Sequence, residues 1–221
     1  MTEHEIASAI ENYVTSYEGV TSSSISLEQI KDEINTLRMR TIFELDQQRL
    51  LMTPFVGYVQ TIPNLKVTKT DVNETVIHTV KIPKVYIRAN GKIALTYVGG
   101  IDMRSPYRIT TGNHHMWATA DAYIGNKPMI SYREDIDGGV ITIHKAVDNI
   151  AVEALFETPS ALTPFGIYDD EKTSYPMPQA QIDAMIGKTV NSYINTLYRT
   201  PVQSNIQADS PQQSMQEQQP Q

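Results

Sequence analysis

Ser174-Tyr-Pro-Met-Pro-Gln-Ala-Gln-Ile-Asp-Ala-Met-Ile-Gly-Lys-Thr-Val-Asn-Ser-Tyr-Ile-Asn-Thr-Leu-Tyr198 is the stretch on which the fold of this chain turns. Pro176 and Pro178 keep its entry extended, and proline suits the first turn of a helix, where its missing N–H would have no partner anyway. Beyond them Ile182, Met185, Ile186, Val190, Tyr193, Ile194, Leu197 and Tyr198 recur at intervals of three and four. That period draws one apolar stripe along a helix of about 30 Å. Gln181, Asp183, Lys188, Asn191, Asn195 and Arg199 occupy the other side, and Pro201 ends the run. Such a stripe must be covered. Ile182 to Val190 are expected to lie on the chain's own domain, with Tyr193 to Tyr198 reaching outward.

Two more helices are predicted at the other end. Thr2 and Glu5 have the spacing of a capping box, followed by Ile6, Ile10, Tyr13, Val14 and Tyr17 at helical intervals and a stop at Gly19. Ser26 and Gln29 repeat the box, with Ile25 placed to staple onto Ile30. Leu27, Ile30, Ile34, Leu37, Ile42, Leu45 and Leu50 then carry a helix to about Met52, before Pro54.

Between these ends the period falls to two. Runs rich in Val, Ile, Thr and Tyr occupy 56–62, 66–72, 75–82, 84–89, 92–98, 107–111, 117–124, 128–133, 140–144 and 150–156. Turn formers separate most of them, as in an all-β sandwich or barrel. Asn90-Gly91 is the strongest hairpin mark and predicts a type I′ turn, with Gly125-Asn126 and Gly138-Gly139 weaker. A loop is expected over 158–172. The chain therefore reads as α+β: a helical arm over 1–54, an antiparallel sandwich or barrel-like domain over 55–168, an acidic loop with the closing helix over 169–200, and a Gln-rich tail over 201–221 expected to be disordered when isolated.

Composition narrows function. The chain has 221 residues, 40% of them hydrophobic, enough for one sizeable core. Eighteen basic against 25 acidic residues leave a net charge of -7, which disfavours gripping nucleic acid by its phosphates or an anionic membrane by charge. With no cysteine there is no disulfide, thiolate zinc site or cysteine nucleophile. Met1 to Ile10 is acidic and amphipathic rather than signal-like, and no run approaches the ~20 apolar residues of a membrane span, so a soluble chain outside the general export route is expected.

Catalytic motifs are missing. No glycine-rich phosphate loop is present, and Ser23 or Ser24 with His4, or Ser105 with His114, lack the context of a nucleophile elbow. His114-His115, with Asp102 and Asp121, is the densest set of potential ligands, but neighbours on a strand face opposite ways. Asp135-Ile-Asp-Gly138 opens like a calcium loop without its closing glutamate and reads as a turn. Trp117, Tyr107 and Tyr123 read as core rather than as a stacking platform. Asp169-Asp170-Glu171 reads either as a solvated loop before the helix or as a charge partner for a neighbour.

The segment Ile141-Thr-Ile-His144, Ile150-Ala-Val-Glu-Ala-Leu-Phe-Glu-Thr-Pro159, then Asp169 to Pro178 and the helix, resembles small virion proteins of tailed bacteriophages, among them crAss-like and other short-tailed phages. In that set a strand ending Phe-Glu-x-Pro leads to an acidic loop, a Tyr-Pro-hydrophobic-Pro step and a closing helix. The resemblance covers about the last third of the chain. It implies a non-enzymatic ring or adaptor protein of the head–tail neck, without metal or cofactor, located in the virion and assembled in the host cytoplasm. Its implied partners are copies of itself in a dodecameric ring, the portal, and the adjoining tail proteins, with genomic DNA passing unbound. Tyr175, Pro176, Met177, Pro178, Tyr193, Ile194, Leu197, Tyr198, Asp169, Asp170 and Glu171 are then the expected interface. A β-sandwich binding module for carbohydrate or protein is the alternative, and a histidine-based hydrolase or metalloenzyme is the third reading.

Overall fold

The computed structural model describes residues 1–17, 25–48, 56–72, 75–110 and 128–198. Helix α1 spans Glu3–Thr15 and α2 spans Leu27–Gln47. Both open with the expected capping box: Thr2 and Glu5 exchange bonds of 2.9 and 3.2 Å, Ser26 and Gln29 bonds of 3.2 Å each. Helix α3 spans Gln179–Tyr198, its first turn closed by the Pro178 carbonyl, which accepts from the Gln181 and Ile182 N–H groups.

Among the described residues eight strands follow α2: β1 Gln60–Lys66, β2 Thr68–Val72, β3 Thr75–Ile82, β4 Leu95–Gly99, β5 Arg108–Ile109, β6 Met129–Asp135, β7 Gly138–Ile143 and β8 Asn149–Ala154. They form two sheets, β1-β8-β4 and β2-β3-β7-β6-β5, antiparallel throughout except for the short β5–β6 pair. The architecture is α+β with sandwich-like sheets and, among the described residues, no closed barrel. What reads as one strand over 66–72 changes sheet at Val67, whose N–H leaves both ladders to donate to the Asp148 carbonyl at 2.9 Å. The predicted strand over 117–124 lies outside the described residues, as do the Gly19 stop and the extension of α2 past Gln48.

Three local expectations are corrected. Asn90-Gly91 does turn the chain, but among the described residues Met103 is the only non-glycine with positive φ, so Asn90 keeps a negative one. Gly91 alone is left-handed at 76°, its N–H donating to Arg88, whose own N–H donates to Lys92. That is a type I turn followed by a left-handed glycine, the three-residue hairpin loop. The arm before it is not a continuous strand: Val85 bridges Phe156 and Ile87 bridges Ile93 as single pairs, and the Ala89 N–H donates to Asp46 at 2.7 Å. Finally, Pro159–Phe165, expected as loop, is a 3₁₀ helix ended by Gly166 at φ 69°.

One core joins helices and sheets. Ile6, Ile10, Ile30, Ile34, Ile182 and Met185 are buried with Ile62, Val80, Ile141, Ile143, Val152 and Phe156. Each side chain that size contributes about 1.5–3 kcal/mol when fully buried.

Candidate functional site

The buried side of α2 is a line at intervals of four: Ile30, Ile34, Arg38, Ile42 and Asp46. Two of the five are charged. Arg38 is completely buried and meets no carboxylate. Its Nε donates to Pro176 O at 3.1 Å, Nη1 to Phe156 O at 3.1 Å and Glu157 O at 3.2 Å, and Nη2 to Tyr58 O at 3.3 Å. A planar fork with five donors matches converging carbonyls that no apolar residue satisfies. Burial lowers the guanidinium pKa, and the nearby tyrosines and Glu3 oppose that.

Glu3 provides the second knot. Its Oε1 accepts from Asn35 Nδ2 at 2.8 Å and its Oε2 from the Tyr168 hydroxyl, while Tyr175 donates to Asn35 Oδ1 at 3.0 Å. Burial, then the bond to Glu3, pushes the Tyr168 phenol far up; burial does the same to Tyr175. The start of the chain lies along this step: Thr2 bridges Ser174, and the Tyr175 N–H donates to the Met1 carbonyl at 2.9 Å. At the far end of α2, Asp46 accepts from Arg88 Nε at 3.0 Å, Ala89 N at 2.7 Å and Tyr86 Oη at 3.3 Å. Helix α2 thus meets the strand region through Tyr58, Tyr86, Arg88, Ala89, Phe156 and Glu157, none of them in a ladder strand.

Of the expected interface residues, Tyr175, Pro176 and Met177 are buried in this chain's own core, held by Asn35 and Arg38, which leaves them no surface to offer a neighbour. Pro178 is half-buried and packs over Gly57, whose φ of 86° leaves room where a Cβ would come within 3.1 Å of the proline ring. In α3 the buried positions end at Thr189; Tyr193 and Ile194 are half-buried, and the side chains of Leu197 and Tyr198 lie outside the described residues. Burial, then a hydrogen bond to Glu33, pushes the Tyr193 phenol up to about 12.

Asp169, Asp170 and Glu171 line a groove of about 480 Å³ together with Glu28, Lys31 and Ser160. Lys31 pairs with Asp170 at 2.8 Å and Glu28 at 3.0 Å, holding the Asp170 carboxyl below its ordinary range, and Lys172 does the same for Asp169 at 3.1 Å. Glu171 is exposed.

Among the described residues no three His, Asp or Glu converge as metal ligands, and no helix is long and apolar enough to cross a membrane. His114, His115, Trp117, Asp121 and Tyr123 lie outside the described residues. Asp135 to Gly138 form the tight β6–β7 turn, with Asp135 Oδ1 accepting from the Ile136 N–H at 2.9 Å. Arg38, Glu3 and Asp46 escaped the sequence reading; their one signal was that Arg38 and Asp46 extend the interval of four from Ile30 and Ile34. No protein-family model matches the chain, and no curated protein matches it.

Proposed function

We propose that this chain is a non-enzymatic structural protein of a tailed-phage virion, repeated as a ring in the neck and adapting the portal to the next tail component. The observation that carries the reading is the course of α3. Its apolar stripe continues past Thr189, the last fully buried position, into Tyr193 and Ile194, which this chain covers only in part. A rigid helix with a stripe longer than its own core suits contact with a neighbouring subunit. Further support comes from the anchoring of the helix base: Arg38 ties Pro176 to Tyr58 and Phe156, in the segments that flank β1 and β8, so the helix is fixed to the strand region at its root. The resemblance of Ile141 to His144, Ile150 to Pro159, Asp169 to Pro178 and the closing helix to virion proteins of the phage neck suggests the location.

Native mass spectrometry and negative-stain imaging of the purified chain with a portal test it. Rings seated on the portal are expected. A monomer indifferent to the portal overturns the proposal, and so does turnover of a substrate by the isolated chain.

A further inference from the structure

The side of the five-stranded sheet turned away from the core mixes hydroxyls and two exposed cations with buried apolar residues such as Val140 and Met129. Cross-strand register places Thr68, Thr79, Thr142 and Ser131 in one row across β2, β3, β7 and β6. The next row on the same side is Lys81, Val140 and Arg133, with Val140 buried between the two exposed cations. The alternate positions Val80, Ile82, Ile130, Ile141 and Ile143 point into the core, which fixes the facing of the two rows. Lys81 and Arg133 are exposed, and neither has an ion-pair partner among the described residues. Two strand spacings separate them, about 10 Å between backbones. An exposed ammonium and guanidinium without ion-pair partners among the described residues favour a carboxylate, and the neighbouring hydroxyls can donate to the same group.

The chain itself carries such a counterpart. Its described helical residues (1–17, 25–48, 168–198) hold 12 acidic against 5 basic side chains, a net of -7. Its described strand region (56–72, 75–110, 128–167) holds 8 acidic against 10 basic, a net of +2. The exposed Lys81 and Arg133 and the acidic helices sit on different surfaces of one molecule, because the helices meet the strand region through Tyr58, Arg88 and Glu157 rather than across this sheet face. Unlike patches on one subunit match between copies only head to tail, the geometry that closes rings.

We infer that the outer face of the five-stranded sheet, centred on Lys81 and Arg133, docks the acidic helical layer of a second copy of this chain at its Glu28 and Glu171 rim. This rests on the ring reading and adds the pair of surfaces that builds the ring. Charge sets the register and speed of the contact, and the hydroxyl row adds hydrogen bonds once water is displaced.

The test is self-association of the full chain by native mass spectrometry and light scattering across a salt series. Assembly is expected at low salt and weakens as salt rises. The double reversal Lys81→Glu with Arg133→Glu is expected to weaken self-association by about tenfold or more, since it sets like charges face to face. Adding Glu28→Lys and Glu171→Lys to that variant restores it. Unchanged melting certifies the fold, and Lys81→Gln with Arg133→Gln replaces the reversal if it does not fold. Self-association indifferent to these charges overturns the inference, as does a wild-type chain monomeric at every salt concentration. Loss of glycan binding, rather than of self-association, in the reversal variant also overturns it. Rings that seat on the portal whatever the state of Lys81 and Arg133 leave the ring reading standing while this contact fails.

Discussion

The helical layer and the five-stranded sheet are held by different physics. In the sheet, each backbone N–H and C=O inside the ladder finds its partner across the strand, and Val80, Ile141 and Ile143 need only pack. Where α2 crosses the strand region it meets chain that is not in a ladder, with the carbonyls of Tyr58, Phe156, Glu157 and Pro176 pointing inward. Burying those oxygens without donors costs about 1–3 kcal/mol each, so one guanidinium outperforms any apolar residue at position 38. A buried polar group here does what a ladder does elsewhere, and it does so for a few residues at a time.

That contrast predicts an order of fragility. The largest effect is expected at high pH. Tyr168, Tyr175, Tyr86 and Tyr193 all have phenols raised above the ordinary 10.0, the last two to about 12. The folded state therefore holds protons that the unfolded chain releases. Stability is fully present below pH 10 and is lost as pH rises through about 12. Tyrosinate absorbance should rise together with loss of helical circular dichroism; tyrosines that ionise while the helices persist would break the comparison.

Next comes Arg38→Met, expected to cost several kcal/mol in urea unfolding, about 1–3 for each carbonyl left buried without its donor. Arg38→Lys should recover only part of that, since an ammonium lacks the planar fork. A neutral Arg38→Met would mean that water or repacking satisfies those oxygens. Asp46→Ala removes the acceptor of Arg88, Tyr86 and the Ala89 N–H and should cost about 2–3 kcal/mol. The smallest effect is expected in the sheet: Ile141→Val should cost about 1 kcal/mol, the usual figure for one buried methyl. If Ile141→Val and Arg38→Met proved equally damaging by chemical denaturation, the two regions would not differ as argued.

Much of this architecture is written locally. Thr2 with Glu5 and Ser26 with Gln29 start their helices by bonds three residues long, and the sequence contains both partners. The alternation in Thr75–Ile82 and Gly138–Ile143 assigns strands for the same reason: the period of the side chains is the period of the backbone. Asn90-Gly91 marks a hairpin, although its turn is type I with a left-handed Gly91, and the Ala89 N–H inside it goes to Asp46, more than forty residues upstream. The candidate site was harder to read. Tyr175 and Met177 look like contact residues in a proline-rich step, and they are core because Asn35 and Arg38 stand opposite them.

The sequence by itself determined where the helices begin, that three helices flank a strand-rich middle, and that α3 carries an apolar stripe along its length. Capping, turn chemistry and hydrophobic period act over three or four residues, so they are legible in one dimension. Only the tertiary structure decided that Arg38, Glu3 and Asp46 are interior, because a charge is buried when distant segments bring it partners. Pro176 and Phe156 reach Arg38 from 138 and 118 residues away, and no local pattern carries that distance.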